Sequence, residues 1–284
     1  MDAQITKRDI SLLLNLYTYR YLSFSQLVRL HFPSVATAYQ RLRKLKRGGF
    51  VKSFTAPGIP ERIYHLDKEG AKLVAGELDT EVKELSWYRY SKAPKDYYHL
   101  RHFLAINDFR ILITQACTDT PITLRGFIPE YIGEQTKEGY VKKYLRDSVK
   151  DYSHTPDGVF ALEKDGNAAL FFLEIDRGVE PVSDPVRGFL KCAIFYLHYF
   201  VARKYERYES DFGTSFKSFR ALVITPSEKR LQHMREAVTN VEFTPIQAKR
   251  FLWGTTEEKA TKQLLFEAIW QSMDMTDEKL YMIG

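Results

Sequence analysis

The chain has 284 residues, 44% hydrophobic and 27% charged, with a net charge of +6; this is an ordinary folded composition, long enough for two cores. No apolar run approaches the ~20 residues of a membrane helix, and Met1-Asp2-Ala3-Gln4 gives no expectation of a secretory leader. Two widely separated cysteines, Cys117 and Cys192, exclude a disulfide framework and a zinc-finger quartet and point to a reducing cytoplasm.

Three helices are read first, each with its own start signal. Thr6-x-x-Asp9 resembles a capping box and leads into Ile10, Leu13, Leu14 and Tyr17 at helical spacing. Ser23-x-x-Gln26 opens a second helix. Ser34 is the expected N-cap of a third, with Val35, Ala38, Leu42 and Leu45 as its apolar seam and Gly48-Gly49 as its stop. Two β-prone runs, 50–54 and 62–66, flank a loop at 56–60 and read as a hairpin. Helix, helix, basic helix, hairpin is the order of a winged helix-turn-helix.

Charge supports that reading. Residues 10–60 contain no Asp or Glu, yet hold Arg20, Arg29, Arg41, Arg43, Lys44, Lys46, Arg47 and Lys52. The remaining 34 basic residues face 36 acidic ones, so the excess positive charge lies in this stretch. Double-stranded DNA is the expected partner, and no membrane is. On the third helix, Thr37 and Gln40 are placed for base edges, and Arg43, Lys44 and Arg47 for phosphates. Ser34 and Arg41 belong to the same candidate surface, and Lys52 and Arg62 extend it onto the wing.

A helix over 67–78, capped by Asp67, closes a first domain at 1–80. Residues 81–96 lose periodicity, mix charge with Trp87, Tyr88 and Tyr90, and read as a linker that packs on something. The second domain, 97–284, opens with a helix over 97–116 capped by Asp96, then a strand at 122–128. Residues 133–154 are charged and glycine-containing, and are expected to be mobile. His99-x-x-His102 has helical metal spacing but no evident third ligand.

Asp165-Gly166 between apolar runs is a hairpin signal. Pairing 164 with 167 and continuing outward sets Asp157 opposite Glu174, where Cβ atoms lie about 4.5–5.5 Å apart. Asp176 follows on the same face. These three carboxylates are a candidate metal and catalytic site for Mg²⁺ or Mn²⁺. Asp184-Pro185 starts an expected helix to about 208, on which Lys191 shares a stripe with Arg187, Ile194 and His198 and could reach the carboxylates. A strand at 219–224, a helix capped by Ser227, a strand at 251–253 and a final helix from Thr255-x-x-Glu258 through Trp270 complete the α+β reading.

This order resembles the PD-(D/E)xK nuclease fold: Pro156-Asp157 fits its first motif and Glu174-Ile175-Asp176 its second, with aspartate where lysine is expected. The chain as a whole resembles the replication-relaxation family, a winged helix joined to such a domain. The marks are Tyr64-His-Leu-Asp-Lys-Glu-Gly70, His102-x-Leu104-x-x-Asn107-Asp108, Pro156-Asp157-Gly158 and Glu174-x-Asp176-Arg177-Gly178. The resemblance implies a role in replication, relaxation or transcriptional control of plasmid or other mobile DNA. Without the motif lysine, a non-catalytic DNA-binding protein is the leading expectation. The alternatives are a metal-dependent endonuclease or nickase, with Lys191 as displaced lysine, and a repressor whose C-terminal part only forms a homodimer.

Overall fold

A computed structural model describes residues 4–85, 97–136, 139–243 and 246–284. By internal contacts the chain divides into two units, one of residues 1–108 and 133–143, the other of 109–132 and 144–284. The sequence expectation of a linker at 81–96, with its aromatic residues, and the Asp96 cap lie largely outside the described residues.

The first unit runs α1 (Lys7–Tyr19), β1 (Leu22–Ser23), α2 (Phe24–His31), α3 (Val35–Arg47), β2 (Val51–Ala56), β3 (Ile59–Leu66) and α4 (Lys68–Glu77). The expected caps are present. Thr6 and Asp9 form a reciprocal capping box, as do Ser23 and Gln26, and Ser34 and Asp67 cap α3 and α4. The strands of the hairpin reach further into the loop than the sequence suggested. Pro57-Gly58 makes the turn, with Gly58 at φ +72°, a conformation that favours glycine. β3 is central, pairing antiparallel with β1 and β2. Leu12, Leu13, Leu16, Leu27, Ala38, Leu42, Leu45 and Ile63 fill the core.

Helix α5 (Tyr97–Thr118) contributes its first half to this unit. Buried Asn107 donates to the carbonyls of Tyr19 (3.1 Å) and Tyr21 (2.9 Å), bracketing Arg20, whose φ of 63° reverses the chain after α1. Gln26 donates to the Leu104 carbonyl at 2.9 Å, and Arg29 pairs with Asp108. The residues between His102 and Asp108 that stood out in the sequence therefore include the clasp of this helix.

The second unit is built on a sheet of order β14-β13-β12-β11-β10-β9-β4. Its strands are β4 (Thr123–Pro129), β9 (Gly158–Lys164), β10 (Asn167–Ile175), β11 (Phe219–Thr225), β12 (Leu252–Thr256), β13 (Trp270–Ser272) and β14 (Leu280–Tyr281). β10, β11 and β12 run parallel; the other pairings are antiparallel. One face carries Phe160, which meets Phe109 of α5, Phe127 and Phe171. The other carries Val159, Ala161, Leu170 and Phe172 under α6 (Phe189–Val201), with α8 (Glu228–Thr239) alongside. A four-residue α7 (Glu209–Phe212) follows a short 3₁₀ turn after α6.

Two expectations change here, and a third segment gains an architecture. The described residues of 131–154 carry strands β5 (Tyr131–Thr136), β6 (Gly139–Tyr144), β7 (Asp147–Val149) and β8 (Tyr152–His154), paired as two two-stranded sheets. Asp184 does not start a helix: its carboxylate accepts from Val186 and Arg187 in a turn, and α6 begins only at Phe189. No final helix forms between Thr255 and Trp270. Thr255 and Thr256 pair with Ile224 and Thr225 in β12, so the would-be cap is spent on the sheet, and Trp270 is a buried strand residue.

Gly70 is the tightest backbone approach in the first unit. A Cβ there would overlap the Phe50 carbonyl oxygen, which accepts from the Asp67 amide and cannot move aside. Gly70→Ala should therefore destabilise by about 1–3 kcal/mol, the cost of overpacking. Gly76, with nothing near it in the same helix, should tolerate alanine or gain a few tenths of a kcal/mol. Urea denaturation of both variants checks this, and equal stabilities would contradict the packing.

Candidate functional site

On α3, Ala38, Leu42 and Leu45 are buried, which turns Gln40, Arg43, Lys44 and Arg47 to solvent. Val35 does not belong to the seam: it is 61% exposed, and Tyr39 is 62% exposed. Val35, expected in the seam, precedes the point where the helix meets the core, and Tyr39 one turn later is a second large exposed side chain on α3. Thr37 is half-buried and shares a hydroxyl contact with the cap Ser34 at 2.9 Å.

Arg41 is not part of this outward face. Its guanidinium grips the fully buried Asp9, with Nε donating at 2.7 Å, and reaches the Gln4 carbonyl at 2.7 Å. Burial would push the Asp9 carboxyl up, but hydrogen bonds from Arg41 and Thr6 more than offset it and hold it below its ordinary value. On the hairpin, Lys52 pairs with Asp67 at 3.1 Å, while Arg62 is exposed. Glu61 beside it accepts from the Ser25 amide (2.6 Å) and hydroxyl (2.9 Å), fastening β3 to the start of α2.

In the second unit the hairpin register matches the count from Asp165-Gly166. Asn167 opposes Lys164 and the ladder runs to Leu173 opposite Gly158. The Asp157 amide then donates to Leu173, and Asp157 Oδ2 accepts from the Ile175 amide at 2.7 Å, which sets Asp157 beside Glu174. Asp157 is 8% exposed. The shared face continues to Asp176, yet its carboxylate is taken: Arg230 of α8 binds it through Nε (2.5 Å) and Nη2 (2.7 Å), and the Thr225 hydroxyl donates to it at 2.8 Å. Nothing in the local sequence marked Arg230 for this role.

Glu174 is held differently. His154 Nε2 lies 2.7 Å and the Tyr196 hydroxyl 2.5 Å from its Oε1, and Cys192 Sγ lies 3.5 Å from the same imidazole nitrogen. Cys192 and Tyr196, four apart, form the stripe of α6 that faces the strand. Lys191 sits on the neighbouring stripe and, among the described residues, makes no ion pair with any of the three carboxylates. Asp176 is thus held by an arginine and Glu174 by an imidazole and a phenol, while Asp157 accepts from the Ile175 amide; among the described residues these three carboxylates are not a cluster with donor atoms within 4.8 Å of one another. His99 is exposed and His102 half-buried.

Electrostatics follow from burial. Desolvation pushes the Glu174 carboxyl up, with His154 opposing. Burial alone would lower His154, but the Glu174 carboxylate outweighs it and the imidazole is raised above its ordinary value. The Cys192 thiol and Tyr196 phenol are pushed far up by burial and by Glu174. Neither the thiol nor the phenol is a ready nucleophile.

His31 of α2 provides a pH test. The Asn15 amide donates to its Nε2 at 3.0 Å, a contact that needs an unprotonated nitrogen. Burial, then Arg8, depresses its pKa from 6.5 to about 4. A base depressed on folding contributes stability that is full above 6.5 and lost as pH falls toward 4. His31→Gln should flatten the decline of thermal stability between pH 6.5 and 4. An unchanged slope would remove His31 from the explanation.

Among the described residues, no helix is long and apolar enough to cross a membrane. No curated protein and no solved structure matches the chain. The family model for replication-relaxation matches residues 13–210, well over half the length and spanning both the basic helix and the hairpin with Asp157 and Glu174. The chain belongs to the replication-relaxation family.

Proposed function

We propose that the first unit is a winged helix-turn-helix that binds double-stranded DNA, with α3 in the major groove and the β2–β3 hairpin as its wing. The observation that carries this reading is the outward face of α3, which bears Gln40, Arg43, Lys44 and Arg47 and no acidic residue, with Ala38, Leu42 and Leu45 buried behind it. Gln40 can meet an adenine edge, and Val35 or Tyr39 a thymine methyl group. Arg43, Lys44 and Arg47 lie nearer the helix end, where phosphate contacts set position. Arg41 is excluded from this role by Asp9, and Ser34 acts as cap. Family membership supports a duty in replication, relaxation or transcriptional control of plasmid or other mobile DNA.

The second unit resembles a PD-(D/E)xK nuclease domain in its hairpin and carboxylates, and in our reading it does not cleave. Hydrolysis of a phosphodiester needs a cation clamp and a group that activates water. Asp176 faces Arg230, Glu174 faces His154 and Tyr196, and among the described residues Lys191 makes no ion pair with the three carboxylates, which favours a binding role.

Lys44→Ala and Arg47→Ala should each weaken binding to all duplexes alike and reduce the salt slope by about one unit. Gln40→Ala should cost about 1–3 kcal/mol of discrimination at one base pair. Fluorescence titration at several salt concentrations measures both, and the stoichiometry reports whether a homodimer binds. Unaltered duplex affinity in all three variants would remove α3 from the groove.

Supercoiled plasmid with Mg²⁺ or Mn²⁺ should remain largely uncut by the wild type. Nicking that Asp157→Asn and Lys191→Ala both abolish would establish the endonuclease instead.

A further inference from the structure

We infer that His154, Glu174 and Cys192 form a binding site for a single zinc-class divalent cation. His154 ends β8, Glu174 lies near the end of β10, and Cys192 projects from the first turn of α6. Three separate elements thus deliver an imidazole nitrogen, a carboxylate oxygen and a sulfur whose donor atoms all lie within 4.8 Å of one another. The imidazole Nε2 is the shared point, 2.7 Å from Glu174 Oε1 and 3.5 Å from Cys192 Sγ.

Bond lengths decide which cation fits. Zinc sits about 2.0–2.1 Å from imidazole nitrogen and about 2.3 Å from thiolate sulfur in tetrahedral sites. Those bonds set nitrogen and sulfur roughly 3.5 Å apart, as they already are. Nitrogen and oxygen need only open by about half an ångström. The donor chemistry agrees, because thiolate and imidazole select zinc over Mg²⁺, which prefers oxygen alone.

The surroundings are those of a supported site. Tyr196 donates to Glu174 and fixes its orientation, while the rings of Phe195 and Tyr196 pack 5.4 and 5.5 Å from the imidazole. Orientation of a ligand by an outer partner and an apolar wall are what tune metal affinity. On binding, the Cys192 thiol and the His154 Nε2–H that faces Glu174 each release a proton to solvent, and the imidazole coordinates through Nε2 with its remaining proton on Nδ1. Three protein ligands leave a fourth position, the arrangement that admits water or an exogenous ligand. This cation would occupy Glu174 with a soft donor set and so stands apart from the nuclease-type magnesium site. It does not rest on the DNA-binding reading.

Full-length protein titrated with Co²⁺ as a spectroscopic probe, then with Zn²⁺, tests the site. One equivalent of Co²⁺ should produce a thiolate-to-cobalt charge-transfer band and tetrahedral ligand-field absorption, both displaced by one equivalent of Zn²⁺. Cys192→Ser should abolish the charge-transfer band, His154→Gln should abolish stoichiometric binding, and Cys117→Ser should leave both intact. Tyr196→Phe, which removes only the outer hydroxyl, should weaken affinity about 10–100-fold. Circular dichroism confirms that each variant is folded. Because the wild-type spectrum is itself diagnostic, a folded wild type without the charge-transfer band overturns the proposal. So does a band that survives Cys192→Ser and disappears with Cys117→Ser.

Discussion

Asp9 is a third-position helix acid, a capping-box partner and a buried counter-ion at once. Its carboxylate accepts from the Thr6 amide and hydroxyl and from Arg41 of α3. One group therefore closes the start of α1 and sets the azimuth of α3. Losing one partner of a buried pair costs about 3–5 kcal/mol, because the other charge is left uncompensated. The azimuth matters because a helix rotated by one residue turns through 100°. With Arg41 turned inward and Ala38, Leu42 and Leu45 in the core, Gln40, Arg43, Lys44 and Arg47 have only one direction left.

The acidic residues near this face are spent locally. Glu61 accepts from the amide and hydroxyl of Ser25, at a helix start where the backbone dipole favours an anion. Asp67 caps α4 and pairs with Lys52. A basic surface is thus produced as much by how the carboxylates are engaged as by how many lysines and arginines are present. Lys46 illustrates the same economy of position, since it bonds Ser53 on the hairpin and ties α3 to β2.

Much of this was legible in the sequence where the signal is local. A capping box needs two residues three apart, so the starts of α1 and α2 are visible in the chain itself, as are the caps of α3, α4 and α8. The Asp165-Gly166 turn fixed a register that carried Asp157 to Glu174, because strand pairing propagates without further information. What failed was set by distant partners. Thr255 has the spacing of a cap but lies in a strand against β11, and Val35 has the periodicity of a core residue but precedes the contact. The fates of Arg41 and Asp176 required Asp9 and Arg230, 32 and 54 residues away. Cys192 and Tyr196 carry no local signal, because their stripe gains meaning only once β8 and β10 bring His154 and Glu174 against it.

In the non-cleaving reading proposed above, Asp176 is the position at which the second unit departs from the nuclease motif it resembles. A lysine there would carry positive charge next to Glu174; an aspartate reverses the sign, and two like charges on one strand face are costly unless compensated. Arg230 supplies that compensation from α8 as a bidentate partner, a geometry suited to guanidinium and not to ammonium. The Gly178 amide also donates to Asp176 at 3.2 Å, and the Arg230 guanidinium reaches the Glu180 carbonyl at 2.7 Å, so the chain leaving the strand is folded onto the pair. In that reading, the charge that a motif lysine would aim at substrate gives way to a guanidinium paired with Asp176. Of the other two acids, Asp157 accepts from the Ile175 amide and Glu174 sits among a histidine, a cysteine and a tyrosine, a donor set suited to holding a soft cation or a fixed hydrogen-bond network.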